Sequence, residues 1–441
     1  MNAVVAPGSE RLVDIAIIGG GPVGLALAGW LAARGRTRAL KLAVIDARDP
    51  QAASADPRFL AISHASRALL ETLPGFVWPS TATPIHRIHI SRQGQFGRAL
   101  IDRREHGLPE LGAVVRYGAL LTALQLALTD SAAPRSTSDV LPALRRERGE
   151  VSGIETLADG VAVSFADQRT PLTASLVISA EGGVFATPRN ADGVAPTTAA
   201  TATATATADV DTRSVNTSES PARPAHRSLL PASRDYRQTA IVGSLQASGA
   251  PPHLAWERFT REGPVALLPA GAGRFALVWC CSAESAARRL RLDEPLFLAE
   301  LNQVFGGRLG SLAQLSGRAA YPLGLLTRTS MQSARVAAIG NSAQTLHPVA
   351  GQGLNLGLRD AYALCAALSE FGAVPAALAA FAARRQVDRA LTVGLTDLLA
   401  RGFTSEFAPI AAVRGATLAA LDLLAPAKSM LARQMMFGQR G

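Results

Sequence analysis

Val13-Asp14-Ile15-Ala16-Ile17-Ile18-Gly19-Gly20-Gly21-Pro22-Val23-Gly24 is the stretch that decides the fold. It reads as a strand over Val13–Ile18 and a glycine turn, followed by a helix over Val23–Arg34 and a second strand over Leu40–Asp46, together a βαβ unit. Gly19 permits the tight turn, Gly21 lets backbone approach a pyrophosphate, and Gly24 lets helix and strand pack closely. The helix N-terminus supplies free N–H groups to the phosphate. Asp46 ends the second strand 22 residues beyond Gly24, where an acid accepts hydrogen bonds from a ribose. A merely structural glycine turn would explain the glycines but not the acid at that distance. The stretch therefore predicts dinucleotide binding.

Working outward, Ile15 to Ala33 carries no charge for 19 positions, which a hydropathy window would take for a membrane span. The glycines and Pro22 interrupt it, and Glu10, Arg11 and Asp14 stand at or near its start, so strand, turn and helix explain it better. No other stretch reads as a membrane span. The net charge of +10 comes mostly from scattered arginines, in runs no longer than a pair such as Arg103-Arg104 or Arg288-Arg289, and aromatics are only 5%. That pattern lacks the basic, stacking surface of a nucleic-acid binder. It suits anionic lipid headgroups or the phosphates of a nicotinamide cofactor. Cys280, Cys281 and Cys365 cannot form a disulfide framework and lack zinc-ligand spacing, which fits buried thiols in a reducing cytoplasm. The seven histidines show no metal spacing either, and no metal is expected.

Further helices are expected near Ala65–Leu73 and Gly118–Leu128, and strands near Val161–Phe165, Ser175–Ser179, Thr239–Leu245, Gly263–Leu268, Arg274–Trp279 and Arg335–Ile339. Residues 129–150 and 188–235 read as polar insertions. The second holds a Thr-Ala run from Thr201 to Ala208 and almost no large apolar residue, the composition of a disordered segment. A long helix is expected from about Leu354 to Leu368, then an Ala/Leu-rich amphipathic helical region over 375–441.

The second chemical motif is Gly340-Asn341-Ser342-Ala343-Gln344-Thr345-Leu346-His347-Pro348-Val349-Ala350-Gly351-Gln352-Gly353-Leu354-Asn355-Leu356-Gly357. It follows a strand and opens a helix, so backbone donors again converge at a positive helix end. Gly351 and Gly353 let a ring system lie against the backbone, and the helix end would stabilise negative charge on that ring. His347 has an ordinary pKa suited to proton transfer and is a candidate catalytic base, although such a histidine more often orients a turn.

This eighteen-residue stretch resembles the flavin-dependent aromatic hydroxylases, and Asn341 with Gln344 resembles the branch acting in ubiquinone biosynthesis on 2-polyprenyl-6-methoxyphenol. Phe259-Thr260-x-x-Gly263-Pro264, Tyr321-Pro322-Leu323, Arg384-Arg385-Gln386-x-Asp388-Arg389 and Gly394-x-Thr396-Asp397 continue the likeness over nearly the whole chain. The resemblance implies an α/β fold: a Rossmann-like FAD-binding domain of the p-hydroxybenzoate hydroxylase kind, a mixed or antiparallel β-sheet substrate domain, and C-terminal helices. The expected FAD-binding domain is discontinuous (12–75, 98–187 and 328–374), with a substrate domain of 76–97 and 236–327, an insertion at 188–235, and the helical region 375–441.

The implied cofactor contacts are Gly19, Gly21, Gly24, Asp46, Arg58, Arg116, Glu181, Gly182, Asn341, Pro348, Gly351, Gln352, Gly353, Leu354 and Asn355. Arg58 and Arg116 suit a pyrophosphate because a guanidinium donates two hydrogen bonds from one plane. Glu181-Gly182 stands where the family has Asp-Gly, and the longer acid implies either weaker FAD or nicotinamide positioning or only a small backbone shift. Asn341 replaces the common aspartate and accepts hydrogen bonds without adding charge beside a ring that becomes anionic.

The implied reaction uses FAD, with NAD(P)H as a transient co-substrate and O2. A flavin C4a-hydroperoxide hydroxylates a polyprenylated phenol to the 1,4-benzoquinol. The implied setting is cytoplasmic, with peripheral contact at the inner membrane and membership of a ubiquinone-biosynthesis complex. Two other readings stay open: a hydroxylase acting at another ring carbon or on another aromatic, and a weakly catalytic flavoprotein scaffold.

Overall fold

The computed structural model describes residues 13–94, 98–131, 144–182, 233–328, 331–348 and 351–402. The expected disorder of 188–235 falls almost entirely outside the described residues, as do the helices expected beyond residue 402.

Strand Val13–Ile18 lies at the centre of a parallel sheet, between Leu42–Asp46 and Leu172–Ser179, with Ile15 opposite both Leu42 and Leu176. Its apolar residues are buried on both faces, as a central parallel strand requires. Val336–Ala338 adds on beyond Leu172–Ser179 in parallel, followed by the short antiparallel Gln332–Ser333. Helices Pro22–Ala33, Tyr117–Ser131 and Gln352–Phe371 cover one face through Trp30, Leu121, Leu124 and Leu364. Antiparallel strands Val151–Thr156 and Val161–Phe165 lie toward the other face, where Phe165 packs with Ala16, Ile18 and Ile45. Helix Pro375–Gly402 packs on Gln352–Phe371 and sends Phe381 into the same core.

The opposite edge of this sheet departs from expectation. Arg145–Arg148, within the stretch read as an insertion, pairs in parallel with Leu42–Asp46. Its side chains are charged and mostly exposed, so its place rests on backbone hydrogen bonds and on ion pairs such as Arg148 to Asp49 at 3.3 Å.

A larger sheet runs in the order Gln344–Thr345, Leu312–Thr327, Ser233–Ala247, Arg274–Ser282, Pro264–Pro269, Leu254–Phe259, Arg87–Arg92, Arg98–Asp102. All its neighbours are antiparallel except Leu254–Phe259 with Arg87–Arg92. Helices Ala283–Arg291 and Glu294–Phe305 close one face around Trp279, Phe297 and Phe305. Because Arg98–Asp102 is the edge strand here, the chain leaves this sheet after residue 102, not at 98 as the sequence suggested. A small sheet of Phe59–Ser63, Gly112–Arg116 and Thr83–Ile85 stands between the two large ones, its Val114 packing against Ile90, Ile101 and Phe259.

All three cysteines are buried and free. Burial pushes the thiols of Cys281 and Cys365 up to about 11, so both stay protonated. Among the described residues no helix is long and apolar enough to cross a membrane.

Candidate functional site

The N-terminal glycines each answer a different steric demand. Gly19 holds φ +113°, and a Cβ there would lie 2.6 Å from the Ala180 carbonyl oxygen. A Cβ on Gly24 would stand 2.0 Å from the Gly19 oxygen, so helix and strand touch there. Gly21 is open instead: the nearest atoms to a Cβ would be Tyr117 Oη at 3.4 Å and Arg48 Nη2 at 3.8 Å.

Asp46 closes the turn by accepting from the Gly20 N–H at 2.7 Å. It also accepts from the backbone and guanidinium of Arg48, whose Nη1 reaches Tyr117 Oη at 3.2 Å. Arg58 grips Asp56 at 2.6 Å and lies 5.1 Å from the Tyr117 ring centre. Tyr117 thus stands between two arginines at the mouth of the turn. Arg48 and Tyr117 escaped the sequence reading, since neither belongs to a motif. Arg116 is not brought into this group; it lies exposed, 5.2 Å over the Phe59 ring.

The second loop packs against the first. Val23, at the start of the first helix, fills the angle between Gly340 and Gly357. A Cβ on Gly357 would come within 2.9 Å of the Val23 side chain and 3.0 Å of Gly340 Cα. Ser342 receives a hydrogen bond from Ser179 at 3.0 Å and donates to the Glu181 carbonyl at 2.9 Å, which makes Glu181-Gly182 a third wall. Desolvation raises the Glu181 carboxyl above the usual range, with the charge of Asp46 adding to the shift. A Cβ on Gly182 would meet open space.

The two helices that open from these loops lack side-chain N-caps, whereas Asp49, Ser63, Ser282 and Asp293 cap four others. The uncapped ends leave first-turn N–H groups available to a ligand. Gly351 caps the second of them at φ +61°, and its N–H donates to the Pro348 carbonyl at 3.0 Å. A Cβ on Gly353 would lie 3.8 Å from Asn341 Oδ1, so the Asn341 amide faces this helix turn. Gln352 is buried and Leu354 packs half-buried on the core. The Asn355 side chain is engaged with the protein: Oδ1 accepts from Ser63 N at 2.8 Å, and Nδ2 donates to Ala61 O and Gly351 O.

His347 is 1% exposed and sits edge-on to Tyr236, ring centres 5.2 Å apart. Gln238 donates to the Glu262 carbonyl, which turns its Oε1 toward His347 Nε2 at 2.9 Å and makes that nitrogen the proton donor. Burial lowers the ring pKa to about 4, so the ring is neutral near neutrality.

Comparison with known proteins matches this architecture along the chain. An FAD binding domain family, FAD_binding_3, matches residues 12–388. Ubiquinone hydroxylase UbiL of Rhodospirillum rubrum is 30% identical over 98% of this chain and 91% of its own. The chain belongs to the FAD-dependent hydroxylases of ubiquinone biosynthesis. The 3-demethoxyubiquinol 3-hydroxylase of Escherichia coli is 28% identical, covering 94% of this chain and 96% of its own. The solved p-nitrophenol 4-monooxygenase PnpA of Pseudomonas putida shares the fold, with TM-score 0.69 at 14% identity over 98% of this chain and all of the other.

FAD is the cofactor of this hydroxylase, and the residues present suit it: an open Gly21, two uncapped helix starts, and paired arginines beside Tyr117. Beneath the second loop lies a buried polar network. Arg389 donates to Gln344 Oε1 at 2.7 Å and to the carbonyls of Arg328 and Ala343, while Gln344 donates to Asp360 at 2.9 Å. Arg385 pairs with both Asp360 and Asp388, and Arg359 with Asp388 at 3.0 Å. Within the motif Arg384-Arg385-Gln386-x-Asp388-Arg389, buried Arg385, Asp388 and Arg389 thus hold the second loop from below, while Arg384 and Gln386 are exposed, Arg384 pairing with Glu370.

Proposed function

We propose that this flavoprotein hydroxylates a polyprenylated phenol, converting 2-polyprenyl-6-methoxyphenol to 2-polyprenyl-6-methoxy-1,4-benzoquinol with NAD(P)H and O2. The observation that carries the reading is the meeting of two uncapped helix starts, through Val23, Gly340 and Gly357, in a chain similar along its length to a ubiquinone hydroxylase.

Bound FAD supplies the electron transfer and the oxygen activation. The protein binds, orients and shields. The start of helix Pro22–Ala33 and the open face of Gly21 hold a pyrophosphate, with Arg58 near it and Asp46 on a ribose. The positive end of helix Gln352–Phe371 favours negative charge on a ring laid against it, and Asn341 accepts a hydrogen bond there without adding a like charge. Pro348, Gly351, Gln352, Gly353 and Leu354 shape the backbone under that ring, and Asn355 positions Gly351. Leu325, Leu346, Leu356, Val393 and Tyr236 form an apolar cluster between the large sheet and this helix, suited to keeping water from the reacting oxygen. His347 positions the turn, since a ring held near 4 is a weak base and its Nε2 proton is committed to Gln238. The enzyme works in the cytoplasm, touching the inner membrane that holds its prenylated substrate.

A second reading has hydroxylation at another ring carbon, favoured by nearly equal likeness to the 3-demethoxyubiquinol 3-hydroxylase. Deleting the gene and identifying the prenylated intermediate that accumulates separates the two. Accumulation of 2-polyprenyl-6-methoxyphenol supports the first reading, and accumulation of a later, partly hydroxylated quinol supports the second. No accumulation at all removes both.

A further inference from the structure

On the face of the large sheet closed by its helices lies a basic cluster that the proposed reaction does not use. Strands Arg87–Arg92 and Leu254–Phe259 run parallel there, with His89 opposite Trp256 and Ser91 opposite Arg258. The edge strand puts Arg98 opposite Ser91. Arg308 follows the C-terminus of helix Glu294–Phe305, whose Phe305 meets Trp256 edge-on at 6.4 Å. Ile88, Ile90, Ala255 and Phe259 point the opposite way, into the core shared with the small sheet. The cluster is therefore separated from the two glycine loops by the sheet itself.

Two features mark it as a binding site. First, its positive charge is uncompensated. Desolvation and the charge of Arg308 lower the Arg258 pKa, and no acid opposes the shift. Desolvation followed by the charges of Arg98, Arg308 and Arg258 lowers His89. Among the described residues Arg98, Arg258 and Arg308 form no ion pair, whereas Arg58 has one and Arg289 and Arg385 have two each. Second, among the described residues, nitrogen atoms here are buried without partners: Arg258 Nε, His89 Nδ1 and Trp256 Nε1, the last on a side chain only 8% exposed. A buried polar nitrogen left unpaired is destabilising, and three at one place call for a polar partner. The one side-chain bond from Arg258 goes to Ser91 Oγ at 3.1 Å, which aligns a hydroxyl beside the guanidinium.

We propose that this cluster is an anion site for a phosphate group. The Arg258 fork, the Ser91 hydroxyl and the partly buried His89 take its oxygens, and exposed Arg98 and Arg308 at the rim draw it in. A phosphate with several acceptor oxygens matches several donors converging from two strands and a loop. The source is either the headgroup of an anionic phospholipid or a soluble phosphate ester, and the experiment distinguishes them.

The test uses the full-length, FAD-loaded protein and an Arg258→Gln variant, with Arg98→Gln/Arg308→Gln as a second variant at exposed positions that leaves the fold intact. Inorganic phosphate binding is measured by calorimetry against chloride at equal ionic strength. Co-sedimentation is measured with phosphatidylglycerol and with phosphatidylcholine vesicles. The expected result is saturable binding by the wild type, at least tenfold weaker in both variants, with flavin content unchanged. Selective loss of phosphatidylglycerol binding in the variants assigns the site to a lipid headgroup. Loss of phosphate binding without vesicle binding assigns it to a soluble ester. Wild type and variants that bind both probes equally, or a wild type that binds neither, overturn the proposal.

Discussion

A Cβ on Gly357 would lie 2.9 Å from the Val23 side chain: the start of the first helix and the second turn of a helix more than three hundred residues later are in contact. This junction fixes the distance between the two loops proposed to hold opposite ends of FAD. Gly357→Ala forces them apart and is expected to cost about 1–3 kcal/mol of stability through overpacking and to weaken FAD binding at least tenfold. Flavin fluorescence quenching and thermal denaturation check this. Val23→Ala in the same chain removes the clashing methyl groups and should recover part of both losses.

Gly24→Ala is more severe, because the clashing atom, the Gly19 oxygen at 2.0 Å, is backbone and cannot rotate away. The variant is expected to purify without yellow colour. Full flavin occupancy in it would show that the first turn does not hold the pyrophosphate.

Arg389→Met leaves Gln344 Oε1 and the carbonyls of Ala343 and Arg328 without their donor in a buried site. The expected destabilisation is about 3 kcal/mol, the range for breaking a buried charged network. Arg389→Lys keeps the charge but loses the fork, and should lie between wild type and Arg389→Met in chemical denaturation.

His347 sets a pH dependence. Folded, its ring titrates near 4 against 6.5 for the ordinary group. Above 6.5 the ring is neutral in both states. Below it the unfolded chain takes up a proton that the folded chain does not, so stability falls between 6.5 and 4, by up to roughly 3 kcal/mol. His347→Gln should lack this part of the slope when unfolding is followed from pH 7 to pH 5, and equal slopes would refute the burial argument.

The sequence made the parallel sheet and both loops legible because their geometry depends on residues with few substitutes: glycines at positive φ or in close contact, and an acid at the strand end. The strand Arg145–Arg148 was illegible because an exposed edge strand needs no apolar alternation; backbone pairing and ion pairs suffice. Residues 98–102 were placed with the FAD-binding domain, whereas Arg98–Asp102 pairs with Arg87–Arg92 in the larger sheet, because a strand's partner is set by tertiary packing. Arg48 and Tyr117 were missed because they join only in space, 69 residues apart. Asn355 was read as a cofactor contact from its place in the motif, while its amide is engaged with Ser63, Ala61 and Gly351.

The measurement that bears most directly on the whole account is equilibrium titration of apoprotein with FAD, for wild type and for Gly21→Val and Gly353→Val singly. One FAD per chain, with each substitution weakening binding at least tenfold, is the result expected if both loops grip one molecule. Binding unaffected by either change, or a wild-type protein that takes up no flavin, would contradict it.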